Sequence, residues 1–293
     1  MGRERLEEIG QTQRNRLAFI EFRLWFLGDV SRKDLMTRFG IAPAVATRDL
    51  AAYRELAAEN IDFDGSRKVY VTGKDFEPLF EHSAERVLSA ISRGFGDGAD
   101  QREGSYVPCE FPLQLNRPSL TILATVTRAI QQKQVLRVRY HSLKRGASER
   151  VIAPHALVDS GLRWHARVFD RNSNEFRDLV ISRIESAEPV VESEVFAEES
   201  AVEDEQWNRT LALELIPHPR QQRPEIVARD FGMRRGELTV NIRAAVAGYV
   251  LQLWNVDCSI NRLLDPTIYR LCMKDCAQLE GVKSAEIAPG FGS

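Results

Sequence analysis

Leu17, Ile20, Leu24 and Leu27 recur at spacings of three, four and three, which is one stripe of an amphipathic helix. Phe19, Phe22, Trp25 and Phe26 add apolar surface outside that stripe. The pattern predicts a helix covered on more than one side, by another domain or a partner chain, and ended by Gly28-Asp29. Ser31-Arg32-Lys33-Asp34 then reads as an N-cap with an acid at the third helical position. Leu35, Met36 and Phe39 form the buried face of a short helix, and Gly40 stops it. Pro43 suits the first turn of the next helix, where its missing N–H costs nothing. On that helix Ala46, Leu50, Tyr53 and Ala57 fall on one side, and Thr47, Arg48, Ala51 and Arg54 largely on the other. Ile61-Asp62-Phe63, a turn at Asp64-Gly65-Ser66, and Val69-Tyr70-Val71 follow as a short hairpin. Three helices and a basic-tipped hairpin spell a winged helix-turn-helix.

The pattern changes after a Gly- and Asp-rich stretch between Gly94 and Gly104. A helix is predicted over Ser119–Gln132, where Ile122, Val126 and Ile130 lie four apart. Strands are predicted over Val135–Tyr140, Arg150–Val158, Leu162–Phe169 and Phe176–Ile181, with a last one near Ala187–Val191. Short strands at this density suggest a small SH3-like or Sm-like barrel. Beyond it, strands over Leu211–Ile216, Glu237–Ala244 and Thr267–Met273 mix with helices over Pro224–Phe231 and Tyr249–Trp254, giving a small α+β domain. The expected organisation is therefore α+β and multidomain: a winged helix-turn-helix over 1–94, a linker over 95–117, a barrel over 118–191 and an α+β domain over 192–293.

Composition adds little until it is read locally. Of 293 residues, 43% are hydrophobic and 28% charged, an ordinary globular mixture with a net charge of −2. No apolar run approaches a membrane span, and the charged N-terminus lacks a signal-peptide core, so a cytoplasmic protein is expected, with no membrane partner. Cys109, Cys258, Cys272 and Cys276 are scattered and lack zinc-ligand spacing, so reduced thiols and no metal or cofactor are expected. Between Leu120 and Val190, however, twelve basic residues outnumber seven acidic ones. From Val191 to Glu205 seven acidic residues stand with no basic one. A cationic middle region points to an anionic ligand.

Two sets of candidate residues follow. Thr47 and Arg48 are suited to base edges in a major groove, and Arg32, Lys33, Arg38, Arg54, Arg67 and Lys68 to phosphates. In the middle region, alternation puts Trp164, Ala166 and Val168 on one side and Arg163, His165 and Arg167 on the other, with Trp164 in the core. A small barrel cannot hide many polar groups, so Tyr140, Ser142, His155, His165, Arg167 and Arg183 are expected at one open surface, where guanidinium forks would meet phosphate.

The segment Val135–Ile184 resembles a WYL domain. Arg139-Tyr140-His141-Ser142, Ala153-Pro154-His155-Ala156-Leu157, Gly161 through Asp170, and Phe176 through Ile184 carry the resemblance. The name-giving triplet stands here as Trp164-His165-Ala166, a variant that resembles the BrxR/CapW group of regulators. That resemblance implies a homodimeric repressor of a phage-defence operon. It also implies an inverted-repeat DNA operator, a WYL domain that senses a nucleotide or nucleic-acid-derived ligand to relieve repression, and a C-terminal domain that dimerises. A nucleic-acid-binding adaptor that never touches a promoter is the alternative. No nucleophile elbow, P-loop, H-E-x-x-H or dinucleotide fingerprint speaks for an enzyme.

Overall fold

The computed structural model describes residues 6, 9–95, 106–110 and 116–292. Most of the Gly- and Asp-rich stretch and of the expected linker therefore lies outside the described residues. The chain divides into two compact units, Met1–Pro112 and Leu113–Ser293.

In the first unit, helices α1 (Gln11–Leu27), α2 (Arg32–Phe39) and α3 (Pro43–Leu56) are followed by strands β2 (Ile61–Asp64) and β3 (Val69–Thr72). A two-residue strand, β1 (Asp29–Val30), pairs with β3 and makes the hairpin a three-stranded sheet. Gly28 ends α1 in the left-handed region at φ 85°, where a side chain would be strained. Ser31 and Asp34 form a full reciprocal capping box: the Ser31 N–H donates to Asp34 at 2.7 Å, and the Asp34 N–H donates to Ser31 Oγ at 3.3 Å.

Much of the surplus aromatic surface of α1 is covered from within its own unit, while Trp25 stays 42% exposed. Phe22 meets Phe95 and Tyr106, and Trp25 stacks on Phe76 at 5.6 Å. The sequence hides the reason, which is polar. Glu21 is fully buried in α1. Its carboxylate accepts the N–H groups of Leu79 and Phe80 at 2.8 and 2.9 Å and the Tyr53 hydroxyl at 2.9 Å, with His82 Nε2 at 3.0 Å. One buried acid thus folds the segment after the wing back onto the first helix. A second, Asp49 of α3, pairs with Arg16 of α1 at 2.6 Å. A final helix, α4 (Ala84–Arg93), completes the unit.

The second unit opens with α5 (Leu120–Gln132) and strands β4 (Gln134–Ser142), β5 (Gly146–Asp159), β6 (Trp164–Asp170), β7 (Glu175–Val180) and β8 (Ile184–Glu194). They form an antiparallel sheet in the order β7-β6-β5-β4-β8. Strand β5 spans 14 residues because its first half pairs with β4 and its second half with β6. Ile122, Val126 and Ala129 of α5 pack on Leu136, Val138, Ile152, Ala166 and Val168 from the sheet. Among the described residues no ladder joins β7 to β8, so the hydrogen bonding is that of an open sheet and not of a closed barrel. The edges still approach at one end, because only Ile181–Arg183 separate them, about 14 Å of chain at full stretch.

The rest of the unit contains α6 (Glu205–Asn208), β9 (Thr210–Pro217), α7 (Pro224–Asp230), β10 (Leu238–Arg243), α8 (Ala244–Leu253), β11 (Val256–Asp257) and β12 (Leu271–Met273). Its sheet runs β10-β9-β12-β11. The strand expected over Thr267–Met273 is cut to its last three residues, because Asp265 Oδ1 caps the N–H and hydroxyl of Thr267 and holds a turn there. Helix α8 lies so close to the segment around Ser284 that a Cβ on Gly248 would overlap the Ser284 carbonyl. Among the described residues no helix is long and apolar enough to cross a membrane.

Candidate functional site

The first unit exposes cations on α2, on α3 and at the wing. Ala46, Leu50 and Tyr53 of α3 are buried, and Thr47, Arg48, Ala51 and Arg54 are exposed, as alternation around the helix requires. Thr47 Oγ1 bonds to the Pro43 carbonyl at 3.0 Å, which orients its methyl group and leaves the hydroxyl oxygen as an acceptor. Arg48 rests against the Ala44 carbonyl at 3.3 Å. Arg32 and Lys33 are exposed on the first turn of α2. At the wing, Asp64 Oδ1 accepts the N–H groups of Ser66 and Arg67, and the Lys68 N–H closes the turn onto the Asp64 carbonyl. Lys68 sits at φ 57°, so the wing tip is held in a defined shape with its ammonium group outward. Arg67 is exposed but ion-paired to Asp29 at 2.6 Å. Arg38 departs from the expectation: it is half-buried, with its guanidinium 4.6 Å from the Phe95 ring centre.

The six expected ligand residues of the second unit do not converge. Parity along β6 divides them. Ala166 and Val168 face the α5 core, as Tyr140 does, so His165 and Arg167 must face the other way. Tyr140, expected at an open surface, is instead buried in that core, because its strand parity turns it toward α5; backbone register alone sets it opposite Ile184 and so near Arg183, with Ser142 two residues on and half-buried. The Tyr140 hydroxyl accepts the Val180 N–H at 3.4 Å, and Arg150 lies over its ring at 5.2 Å. Arg150 is itself tied to the buried Asp170. Ser142 Oγ accepts the N–H groups of Lys144 and Arg145, leaving its own proton to donate. Arg183 is half-buried and has no ion-pair partner among the described residues. With Lys144 and Arg145 exposed beside it, this end of the sheet is cationic.

His155, His165 and Arg167 lie instead in a buried polar cluster on the opposite face. Arg167 donates Nε and Nη2 to the two oxygens of Asp204 at 2.8 and 3.0 Å, and Nη1 to Asp178 at 3.3 Å. His155 sits at the β5 bulge between Pro154 and Ala156, with Nε2 3.1 Å from Asp204. The Tyr249 hydroxyl donates to Asp178 at 3.1 Å, and its ring lies 5.0 Å from that of His165. Burial opposes the charge on Asp204, but the hydrogen bonds from His155 and Arg167 outweigh it and hold its carboxyl well below the usual range. Burial lowers His165 in spite of the Asp178 carboxylate, keeping the imidazole neutral. A phosphate at Arg167 would have to displace two carboxylates already in place. Trp164, expected in the core, is 39% exposed, because it pairs with Asp159 at the turn end of the β5–β6 hairpin, past the edge of the core.

The acidic segment explains much of the local charge. Glu199 takes a bidentate pair from Arg171, which also donates to Ser193 Oγ and to the Glu194 carbonyl. Asp204 takes Arg167. The cationic sheet is thus partly neutralised by its own chain. Sequence reasoning had both halves of this charge asymmetry and assigned the positive half to a ligand alone.

Comparison with known proteins agrees with this architecture. Residues 12–93 match the BrxR transcriptional regulator winged helix-turn-helix domain, residues 121–189 the WYL domain, and residues 210–279 the BrxR transcriptional regulator C-terminal dimerization domain. A protein of Stenotrophomonas maltophilia named DNA-binding transcriptional repressor CapW is 34% identical over 254 residues, covering 84% of each chain. The chain belongs to the BrxR/CapW family of WYL-domain transcriptional regulators. CapW repressors of Escherichia coli (strain KTE188) and Pseudomonas aeruginosa are 33% and 32% identical, covering 82% and 84% of this chain and 81% and 83% of theirs. Proteasome accessory factor B/C of Arthrobacter aurescens, at 17% identity and a TM-score of 0.27, covers 93% of this chain and 48% of its own. Family membership accounts for both faces: the exposed α3 surface lies in the winged-helix match, and the Tyr140–Ser142–Arg183 end in the WYL match.

Proposed function

We propose that this chain is a homodimeric transcriptional repressor of a phage-defence operon, relieved when its WYL domain binds an anionic, nucleotide-like ligand. The observation that carries the DNA-binding part is the exposed face of Pro43–Leu56, where small and hydrogen-bonding groups stand clear of the helix between flanking cations. A two-fold dimer of such units reads an inverted repeat. The ligand part rests on Ser142 and Arg183, with Lys144 and Arg145, at one end of the sheet. A guanidinium with no carboxylate on it among the described residues, near the Ser142 hydroxyl in the strand register, suits a phosphate ester. His155, His165 and Arg167 then support that site from behind and do not touch the ligand. The deciding experiment is a gel shift with the DNA upstream of the chain's own operon. Binding to that DNA but not to a scrambled duplex supports the repressor, and equal binding to both favours an adaptor. Release by short oligonucleotides or cyclic nucleotides in the same assay tests the sensor.

A further inference from the structure

In the first unit, helices α1 and α4 leave a space between them. Arg14, Ala18 and Phe22 lie four apart on α1, and Arg86, Val87 and Ala90 share one face of α4. Both rows line a single cavity of about 880 Å³, room enough for a small organic molecule. Arg38 and Phe39, from the last turn of α2, line it too.

The lining is aromatic and joined ring to ring. Phe19 meets Phe39 at 5.4 Å and Phe95 at 5.5 Å, and Phe22 meets Phe95 at 5.0 Å, all edge to face. The Arg38 guanidinium, expected on a phosphate, is turned onto the same rings. One wall is held firmly: Leu79 and Phe80 line the cavity with their N–H groups fixed on Glu21, beside His82 on the same carboxylate. A guest therefore meets a preformed surface and little ordering is left for binding to supply. The exposed edge is cationic. Arg14 and Arg86 have no ion-pair partner among the described residues. Among the described lining residues Glu81 is the one acid, against three arginines.

We infer that this cavity binds a small aromatic carboxylate, with its ring among the phenylalanines and its acid group at the arginine edge. Aromatic rings attract one another edge to face, so a flat aromatic guest extends a packing the cavity already uses. A guanidinium fork matches a planar carboxylate, and a neutral guest would leave Arg14 and Arg86 without an anion. A single charge also costs less to bring against five phenylalanine rings (Phe80 is the fifth) than the double charge of a phosphate monoester. The site belongs to the first unit and Arg183 to the second, so it does not depend on the nucleotide-like ligand proposed above.

The test is isothermal titration calorimetry of the full chain with 1-naphthoate and with its neutral isostere 1-naphthamide. Naphthoate is expected to saturate at one molecule per chain, and naphthamide to bind about tenfold more weakly. Arg86→Ala should bring naphthoate down to the level of the amide. Ser89→Trp, which adds bulk at an exposed lining position of α4, should abolish binding of both. Arg229→Ala removes an exposed arginine of the second unit and should change neither. Ser89 and Arg86 are both exposed, so these variants are expected to keep the wild-type circular dichroism and thermal midpoint in the absence of probe. Absence of saturable binding overturns the inference and gives the cavity to another occupant, such as a second copy of the chain. Equal affinity for acid and amide overturns it as well, and so does a loss in Arg229→Ala equal to that in Arg86→Ala, which would be general attraction to charge.

Discussion

Arg167 and Asp204, 37 residues apart, face each other through two parallel hydrogen bonds of 2.8 and 3.0 Å, and both side chains are almost fully buried. Such a fork is the strongest geometry available to a guanidinium. It also means that the cation best placed by sequence to hold a phosphate already holds a carboxylate of its own chain. Asp204→Asn should leave Arg167 and His155 short of their anion and destabilise the second unit by about 3–5 kcal/mol. Thermal and urea unfolding of the full chain measure it, and a change below about 1 kcal/mol would show that the pair is dispensable.

Arg183 makes the contrasting case. It is half-buried at the other end of the sheet and has no ion-pair partner among the described residues. Arg183→Ala should leave unfolding and basal operator binding near wild type and abolish the response to the effector. A reporter driven by the native promoter and challenged with phage infection reads this. Full induction in the variant would remove Arg183 from the sensor.

On the DNA face, Arg48→Ala should weaken specific binding by about 1–3 kcal/mol if the side chain meets a base edge. Lys68→Ala should weaken binding to all duplexes alike and reduce the salt slope by about one. Anisotropy titrations at several salt concentrations separate the two. Equal sequence dependence in both variants would place Arg48 on the backbone.

The helices and hairpin of the first unit were legible because local signals agree there: a capping box, Pro43 in a first turn, a glycine after each of the first two helices, and alternating exposure along α3. The α+β order of the second unit was legible for the same reason. What covers a face was not. The aromatic side of α1 is partly covered by a segment tethered through Glu21, and nothing in local pattern says that an acid there is buried. Likewise, alternation on β6 correctly separated His165 and Arg167 from Ala166 and Val168. It could not show that the polar side is covered too, by Asp204 and Tyr249 from further along the chain. Long-range pairing of buried charges leaves no periodic trace in sequence. The charge asymmetry between the sheet and the acidic segment was the one available clue.

The last prediction concerns pH. Burial lowers the pKa of His165, so the folded unit binds that proton less readily than the unfolded chain. The sign follows: the neutral imidazole contributes stability that is complete above the unfolded value of about 6.5 and is lost as pH falls below it, until the folded group also titrates. Asp204 adds a separate loss at lower pH, because its depressed carboxyl stabilises the fold above about pH 4 and ceases to as it is protonated. Unfolding midpoints of the full chain between pH 7.5 and 5, about the His titration range, should therefore fall. His165→Phe should flatten that slope, because a ring of similar size can still pack on Tyr249 without having to stay neutral. His82 and His155 also approach carboxylates, so the subtraction of variant from wild type is the informative quantity. A slope that His165→Phe leaves unchanged would assign the acid sensitivity of this pH range to another group.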